Sequence, residues 1–526
     1  MPTLDWVNKS QALEATRAVP IHLLKQEAAF GDAGARDNLL IQGDNLLALK
    51  ALLPVHAGRV KCIFIDPPYN TQSAFEHYDD KLEHSQWLSM MLPRLTLLRE
   101  LLAEDGSLWV TIDDNEAHYL KVLMDQVFGR GCFVATFIWK KVDSPNDNKV
   151  PITPDHEYLL CFTKAAGSRP FRQKYDDSIL AAYREPDAES EKPYRDRLLK
   201  KNGKNSLRSD RPSMFFPLTA PDGTQVFPIH DDGREARWAM GKASVEELIA
   251  KDELIWKKRE TGWVPYTREF APDSPSRPYP TIWNDLDTTR QTKAHQKTLF
   301  GESVFDTPKP EDMLKRILDM STNPGDLVLD SFLGSGTTAA VAHKMGRRWI
   351  GIEMGEHART HCIPRLQKVI AGEQGGISEA VGWQGGGGFR FCTLGEPAFD
   401  ADARINPDVK FATLAAFIWH YETATPWAPD AVSPSPPTPL PRAGEGSPML
   451  GVHDGTAYYL LYNGILGDLR PRGGNVLTRA VMEMLQARHP HDGPKVIYGE
   501  VTRLGEAALA AANATFKQIP YDIKAR

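Results

Sequence analysis

The chain has 526 residues, too many for one ordinary domain; at about 100–200 residues each, roughly three domains are expected. Hydrophobic residues make up 41% and charged residues 25%, ordinary for a soluble globular protein with a sizeable core. With 62 Lys and Arg against 68 Asp and Glu, the net charge of −6 argues against a simple basic nucleic-acid binder, though it is silent on a local basic face.

The N-terminus lacks the charged-then-apolar layout of a signal peptide. No apolar run reaches the roughly 18 residues of a membrane span, so the chain reads as soluble, intracellular and without a membrane partner. Five cysteines (Cys62, Cys132, Cys161, Cys362, Cys392) are scattered with no CxxC pair. That usage fits a reducing cytoplasm and disfavours a zinc ribbon or a disulfide scaffold.

The first alternating stretch begins near Leu39. LLIQGD (39–44) and RVKCIFID (59–66) read as buried strands with NLLALKALLP helical between them. Ser85 opens a long helical pattern through Trp87, Met91, Leu95, Leu98 and Leu102, with Pro93 expected to kink it. The turn EDG (104–106) leads into SLWVTID, another strand. Such alternation implies an α/β fold, a parallel sheet covered by helices.

Over 165–300 the periodicity weakens and aromatics interleave with Lys and Arg, 24 basic residues against 21 acidic. The run 191–211 alone has eight basic and three acidic residues. Strand–helix alternation resumes with GDLVLD (325–330), TTAAVAHKM (337–345) and RWIGIE (348–353), a compact βαβ unit. The Gly-rich tract GWQGGGG (382–388) marks a boundary. The Pro-rich stretch 428–448 is too polar to pack. From Ala457 a small α/β unit is expected: the strand AYYLLYN, a helix around 476–487, the strand PKVIYGE, a second helix and FKQIPYDI. There are no internal repeats.

Two motifs carry chemistry. DSFLGSGTT (330–338) joins a buried strand to a helix, and Gly334 and Gly336 let the backbone turn tightly against a ligand. Glu353 ends the next strand 23 residues after Asp330, where a Rossmann-like sheet holds a ribose. No full GxGxxG and no Walker Lys are present, so a nucleoside without a phosphate chain fits better than ATP or a dinucleotide. FIDPPYN (64–70) ends another buried strand, where two prolines stiffen the turn. Asp66 and the Pro67 carbonyl accept hydrogen bonds, which suits a planar amine, and Tyr69 offers a face for a base. Alone, each motif also reads blandly, as a glycine packing turn or as a Pro-stiffened loop with a capping Asp.

Together, Asp-Pro-Pro-Tyr and the phosphate-free loop give the chain a strong resemblance to β-class S-adenosylmethionine-dependent DNA adenine-N6 methyltransferases, above all the modification subunit of type III restriction–modification systems. GDNLLALKAL (43–52), residues 84–116, TPKPEDMLKRI (307–317) and TFKQIPYDIK (515–524) share in it. So does the order of motifs, with the catalytic motif ahead of the cofactor loop. Ser331 departs from the Pro common in relatives.

The resemblance implies a Rossmann-like methyltransferase sheet in circularly permuted motif order. Residues 1–36 would be an N-terminal extension, 37–164 the catalytic half, 165–300 an inserted target-recognition domain, 301–388 the cofactor half and 389–526 a small α/β C-terminal domain. It assigns Asp66, Pro67, Pro68 and Tyr69 to the target amine and base. Asp330, Phe332, Gly334, Gly336 and Thr337 would take the methionine and ribose end of the cofactor, Glu353 the ribose hydroxyls, Asp44 the adenine, and Lys309 would close the methionine end. Lys200, Lys201, Lys204, Arg208 and Arg211 would contact double-stranded DNA. Base flipping, a homodimer, a bacterial cytoplasmic setting and a separate helicase or nuclease subunit as partner are implied as well.

Cys62, His156 and the tryptophans Trp238, Trp256, Trp263 and Trp283 read as structural, and no metal constellation is visible. Cytosine-N4 methylation uses the same geometry, and a non-catalytic specificity subunit of a restriction complex is the alternative from another class. An RNA or protein amino-methyltransferase is the third, where Asn-Pro-Pro-Tyr is more usual.

Overall fold

The computed structural model describes residues 3–32, 35, 37–71, 82–143, 152–184, 191–301, 305, 307–399, 405–406, 409–423, 425, 427 and 448–519. Most of the Pro-rich stretch (428–447) and the end of FKQIPYDI (520–523) lie outside them. The chain divides into two compact units: residues 1–172 with 280–526, and Gln173–Tyr279.

The first unit is built on one ten-stranded sheet. Its strands are β1 (His22–Gly31), β2 (Asn38–Gln42), β3 (Val60–Ile65), β4 (Leu102–Ile112), β5 (Phe133–Lys140), β6 (His156–Thr163), β7 (Ile282–Trp283), β8 (Leu327–Asp330), β9 (Arg348–Glu353) and β10 (Gly388–Pro397). They lie side by side as β1-β10-β2-β9-β8-β3-β4-β6-β5-β7. From β10 to β4 the strands are parallel, while β1, β6 and β5 add antiparallel pairings. Parallel strands buried on both faces need continuous apolar runs. Leu40, Ile41, Ile63, Ile65, Val328 and Leu329 accordingly have no exposed surface.

Helix Asn45–His56 connects β2 to β3, and helix His84–Leu101 connects β3 to β4. The second buries Trp87, Met91, Leu95 and Leu98 on the three-four spacing read from the sequence, and stays helical through Pro93. Helix Thr337–Lys344 carries β8 to β9. Because β3 leads outward to β4 and β8 leads outward to β9 on the other side, the β3/β8 boundary is a topological switch point. Ligands of open α/β sheets bind at the carboxyl edge of such a point.

Several expected boundaries move. Residues 1–36 are not a separate extension, because β1 pairs along its length with β10 at the sheet edge. For the same reason 389 is not a domain start: β10 also pairs with β2 in parallel. The Gly-rich tract is packed structure, since Gly385 approaches the Gly372 backbone so closely that a Cβ there would lie 3.0 Å from its nitrogen. Residues 104–106 are not a turn between elements; they lie within β4, opposite a register shift between Val60 and Cys62. The inserted unit is narrower than 165–300, because β7 pairs with β5 and so returns the chain to the main sheet. Near the C-terminus a four-stranded sheet combines Met449–His453, Thr456–Leu460, Lys495–Gly499 and Ala514–Gln518. The helix expected at 476–487 runs Arg479–Arg488 behind a short strand, Val476–Leu477.

The inserted unit carries a three-stranded antiparallel sheet of Leu254–Arg259, Gly262–Phe270 and Tyr194–Leu198. Leu199, Leu218, Trp238 and Val245 form its small core. Much of the basic run is spent inside this unit. Arg195 and Arg197 pair with Glu269, and Lys200 pairs with Asp231 and donates to the Ile229 carbonyl. Arg208 pairs with Glu235 and lies over the Phe215 ring. Lys204 and Arg211 are exposed and Lys201 is half-buried.

Candidate active site

At the switch point a cavity of about 190 Å³ opens between the β3 turn and the β8 loop. Asp66, Pro67, Pro68 and Tyr69 line one side, Asp330, Phe332, Gly334 and Thr337 the other, and Lys309 reaches in from the segment before helix Glu311–Ser321. Asp44, Gly336 and Glu353 are not part of the lining.

The Asp-Pro-Pro-Tyr turn is held from several directions. The Trp87 indole N–H donates to the Pro68 carbonyl at 2.8 Å. Asn70 closes the turn in the left-handed region (φ 59°) and donates to Glu116 Oε1 at 2.8 Å. Asp66 Oδ1 accepts from the Thr111 hydroxyl at 2.6 Å, and its Oδ2 lies 2.8 Å from Lys309 Nζ.

Glu157 was not singled out in the sequence. Because β6 runs antiparallel to β4, its first residues sit at the edge where β3 and β4 end, with Ile112 opposite Tyr158. The buried Glu157 carboxylate accepts from the Tyr69 hydroxyl at 2.9 Å and lies 3.3 Å from Lys141 Nζ and 3.4 Å from Lys309 Nζ. Burial alone would raise its pKa, but the two ammonium groups outweigh burial and hold it below the usual carboxylate range. Burial pulls Lys309 down, and Asp66 and Glu157 more than reverse that, so the ammonium is retained. Burial pushes the Tyr69 phenol up, which keeps it a hydrogen-bond donor.

The β8 loop is braced as firmly. Gly334 and Gly336 both have positive φ (54° and 81°). The Gly334 N–H donates to Glu353 Oε2 at 2.6 Å, and the Gly334 carbonyl accepts from the Cys362 thiol at 3.1 Å. Glu353 also accepts from the Met354 N–H and lies 2.9 Å from His357 Nε2, so its carboxylate stands behind the loop and shapes it. Asn45 donates to the Ser331 carbonyl at 2.7 Å. Asp44 caps helix Asn45–His56 through the Leu46 and Leu47 N–H groups and pairs with Arg94 at 3.0 Å.

Behind the loop lies a buried charge network that sequence spacing did not reveal. Arg365 donates to Thr337 Oγ1 at 2.9 Å, to the Ser335 carbonyl at 3.2 Å and to Glu311 Oε1 at 2.9 Å. Lys344 pairs with Glu311 at 2.8 Å and with Glu373. Burial would raise the Glu311 pKa, but Arg365 and Lys344 bring it down to about 2. His295, Glu311 and Glu373 place their ligand atoms within 4.8 Å of one another, a grouping absent from the sequence reading. Lys344 and Arg365 already neutralise its carboxylates. Glu311→Ala leaves the buried Arg365 without its carboxylate and Lys344 with Glu373 alone, and is expected to cost about 3–5 kcal/mol of stability, read as a lowered melting temperature.

Asp330 is the acidic group on the glycine-loop side of the cavity. Among the described residues its oxygens accept from neutral donors, the Thr338 hydroxyl at 2.6 Å and the Phe332 N–H at 2.9 Å. Burial pushes its pKa up to about 7, against the lowering effect of those two bonds. The five cysteines are buried and unbridged, and burial pushes Cys62 up to about 12, as expected of a core thiol. Trp238 and Trp283 are buried. No helix among the described residues is long and apolar enough to cross a membrane.

A DNA methylase family profile matches residues 60–362, more than half of the chain. The chain is 32% identical over 413 residues to the "Probable type III restriction-modification enzyme HindVI Mod subunit" of Haemophilus influenzae, which covers 69% of this chain and 54% of that protein. It is 33% identical over 334 residues to the type III restriction-modification enzyme StyLTI Mod subunit of Salmonella typhimurium, 57% of this chain and 49% of that protein. It is 33% identical over 323 residues to the type II methyltransferase M.KpnI of Klebsiella pneumoniae, 57% of this chain and 75% of that protein. The chain thus spans about half the length of the two Mod subunits and three quarters of M.KpnI.

Proposed function

Since the chain belongs to this DNA methylase family, we propose that it transfers the methyl group of S-adenosylmethionine to adenine N6 at specific sites in double-stranded DNA. The observation that carries the reading is one cavity shared by the Asp-Pro-Pro-Tyr turn and the glycine loop. When bound, the cofactor supplies a methyl group already activated by its sulfonium. The residues present fit it: Asp330 is a buried carboxylate whose partners among the described residues are neutral, suited to a cationic ligand, and Phe332, Leu333 and Phe305 add an apolar wall. Phe332, Gly334 and Thr337 would contact the cofactor, while Glu353 acts by holding Gly334.

The protein's work is then orientation and electrostatics. Asp66 and the Pro67 carbonyl accept from the two amine N–H groups and turn the nitrogen lone pair toward the methyl. Thr111 fixes the carboxylate, and Glu157 fixes the Tyr69 ring on which the base stacks. A base paired inside a duplex cannot reach this cavity, so the adenine flips out at a cost of roughly a few kcal/mol, offset by stacking of about 1–3 kcal/mol. Tyr69→Phe keeps the ring and is expected to cost under about tenfold in kcat/KM, whereas Tyr69→Ala should cost roughly ten- to hundredfold. Methylation kinetics on duplex DNA check this, and equal losses would remove stacking from the mechanism.

The exposed Lys204 and Arg211 of the inserted unit, with Lys201, are assigned to phosphate contacts. Lys200 and Arg208 are held by acidic partners that DNA would have to displace. A homodimer and a separate restriction subunit complete the proposal. Expression in a methylation-free bacterial host, followed by base-resolved sequencing of its DNA, tests the reaction: methyladenine at one sequence supports it, and methylcytosine or unmodified DNA overturns it.

A further inference from the structure

We propose that Lys309 reads the ring nitrogen beside the target amine, so that Asp66 and Lys309 together select a base that offers a donor next to an acceptor. The inference rests on the methyltransferase reading and adds a group that separates adenine and cytosine, whose ring nitrogen beside the amine is an acceptor, from bases protonated there.

Lys309 stands between Pro308 and Pro310, which restrict the backbone on both sides, and Pro310 begins helix Glu311–Ser321. Its side chain is 8% exposed and lines the cavity. Nζ lies 2.8 Å from Asp66 Oδ2, 3.4 Å from Glu157 Oε2 and 5.1 Å from the centroid of the Tyr69 ring. An ammonium has three N–H donors. The two carboxylates account for two of them, and the third is left on the side of the Tyr69 ring that Nζ overlies.

The arrangement places a carboxylate acceptor and an ammonium donor side by side. Adenine offers the complement on its Watson–Crick edge, with amine N–H groups at N6 and an acceptor at the adjacent N1. Enzymes that flip a base read it on that edge. Hypoxanthine, guanine and thymine carry a hydrogen on the corresponding ring nitrogen and would set N–H against the ammonium. A methionine-end role for Lys309 does not use these contacts, whereas base reading uses all of them: the Asp66 pair sets its position, the Glu157 pair keeps it charged, and the Tyr69 ring lies in reach.

The test is a cycle between the side chain and the base. Duplex oligonucleotides carry the sequence mapped on DNA modified in the host, with adenine, 1-deazaadenine, 3-deazaadenine or 7-deazaadenine at the target. Wild-type enzyme is expected to lose roughly ten- to hundredfold in kcat/KM on 1-deazaadenine, the worth of one charged hydrogen bond, and little on the other two. Lys309→Met is expected to be slow on adenine yet to lose nothing further on 1-deazaadenine. Additive losses in the cycle, or equal wild-type rates on adenine and 1-deazaadenine, overturn the assignment. The wild-type comparison stands even if Lys309→Met fails to fold. Absence of transfer to the adenine duplex by wild type would overturn the methyltransferase reading itself, and this proposal with it.

Discussion

Asp66→Asn is expected to lower methyl transfer by roughly 10²–10³-fold while leaving cofactor affinity within about twofold. The carboxylate contributes through geometry that an amide cannot copy. Asp66 presents acceptors only: Oδ1 is fixed by the Thr111 hydroxyl, and Oδ2 faces Lys309 and the cavity. An Asn side chain can keep the Thr111 bond with its oxygen, but its NH₂ then points where the target amine must donate. The amine is left without an acceptor, and its lone pair is no longer aimed at the methyl. Folding should survive the change, because Lys309 keeps Glu157 as a partner and the Asp66 side chain is 24% exposed. Single-turnover transfer to duplex DNA, with cofactor titration by calorimetry, separates the two effects. Transfer within tenfold of wild type would mean that another group holds the amine.

How much of this site could be read from sequence follows from where its parts come from. The two motifs are local in the chain and sit at strand ends, so their chemistry and their sheet edge were visible together. β2, β3 and β8 were legible because strands buried on both faces must be apolar throughout. β1 was not. HLLKQEAAFG is an edge strand with half-buried and exposed positions, and only its pairing with β10 makes it a strand. Glu157 was hidden for another reason: a single acid in a strand has no spacing to betray it, and the reversal of β6 is what carries it to the carboxyl edge. Lys309 was noticed in its motif, but its partner Asp66 lies 243 positions earlier, and no local pattern predicts that they meet. The Arg365–Glu311–Lys344 network is likewise a product of packing between helices distant in sequence.

The second large effect is on pH, and it centres on Asp330. Its folded pKa, about 7, lies above the roughly 3.9 of an unfolded Asp. The folded state therefore binds the extra proton between those values. The associated stability is fully present below about pH 4 and is lost as pH rises through 7, a change of order 2–4 kcal/mol. Asp330→Asn removes the titration at the cost of one acceptor for Thr338 or Phe332. Wild-type melting temperature is thus expected to fall between pH 5.5 and 8.5 more steeply than that of Asp330→Asn, with the variant gaining on wild type toward high pH. In the proposed cofactor role, the same carboxylate would give ligand binding a pH response. A cationic ligand pairs with the ionised form, so wild-type affinity for S-adenosylmethionine should weaken by up to about tenfold per pH unit below 7 and level off above it. In Asp330→Asn the affinity should be weaker and flat across that range. Calorimetric titrations at pH 6, 7 and 8 decide the matter: an unchanged wild-type Kd would mean that the buried charge belongs to the fold alone and not to recognition of the sulfonium and ammonium groups.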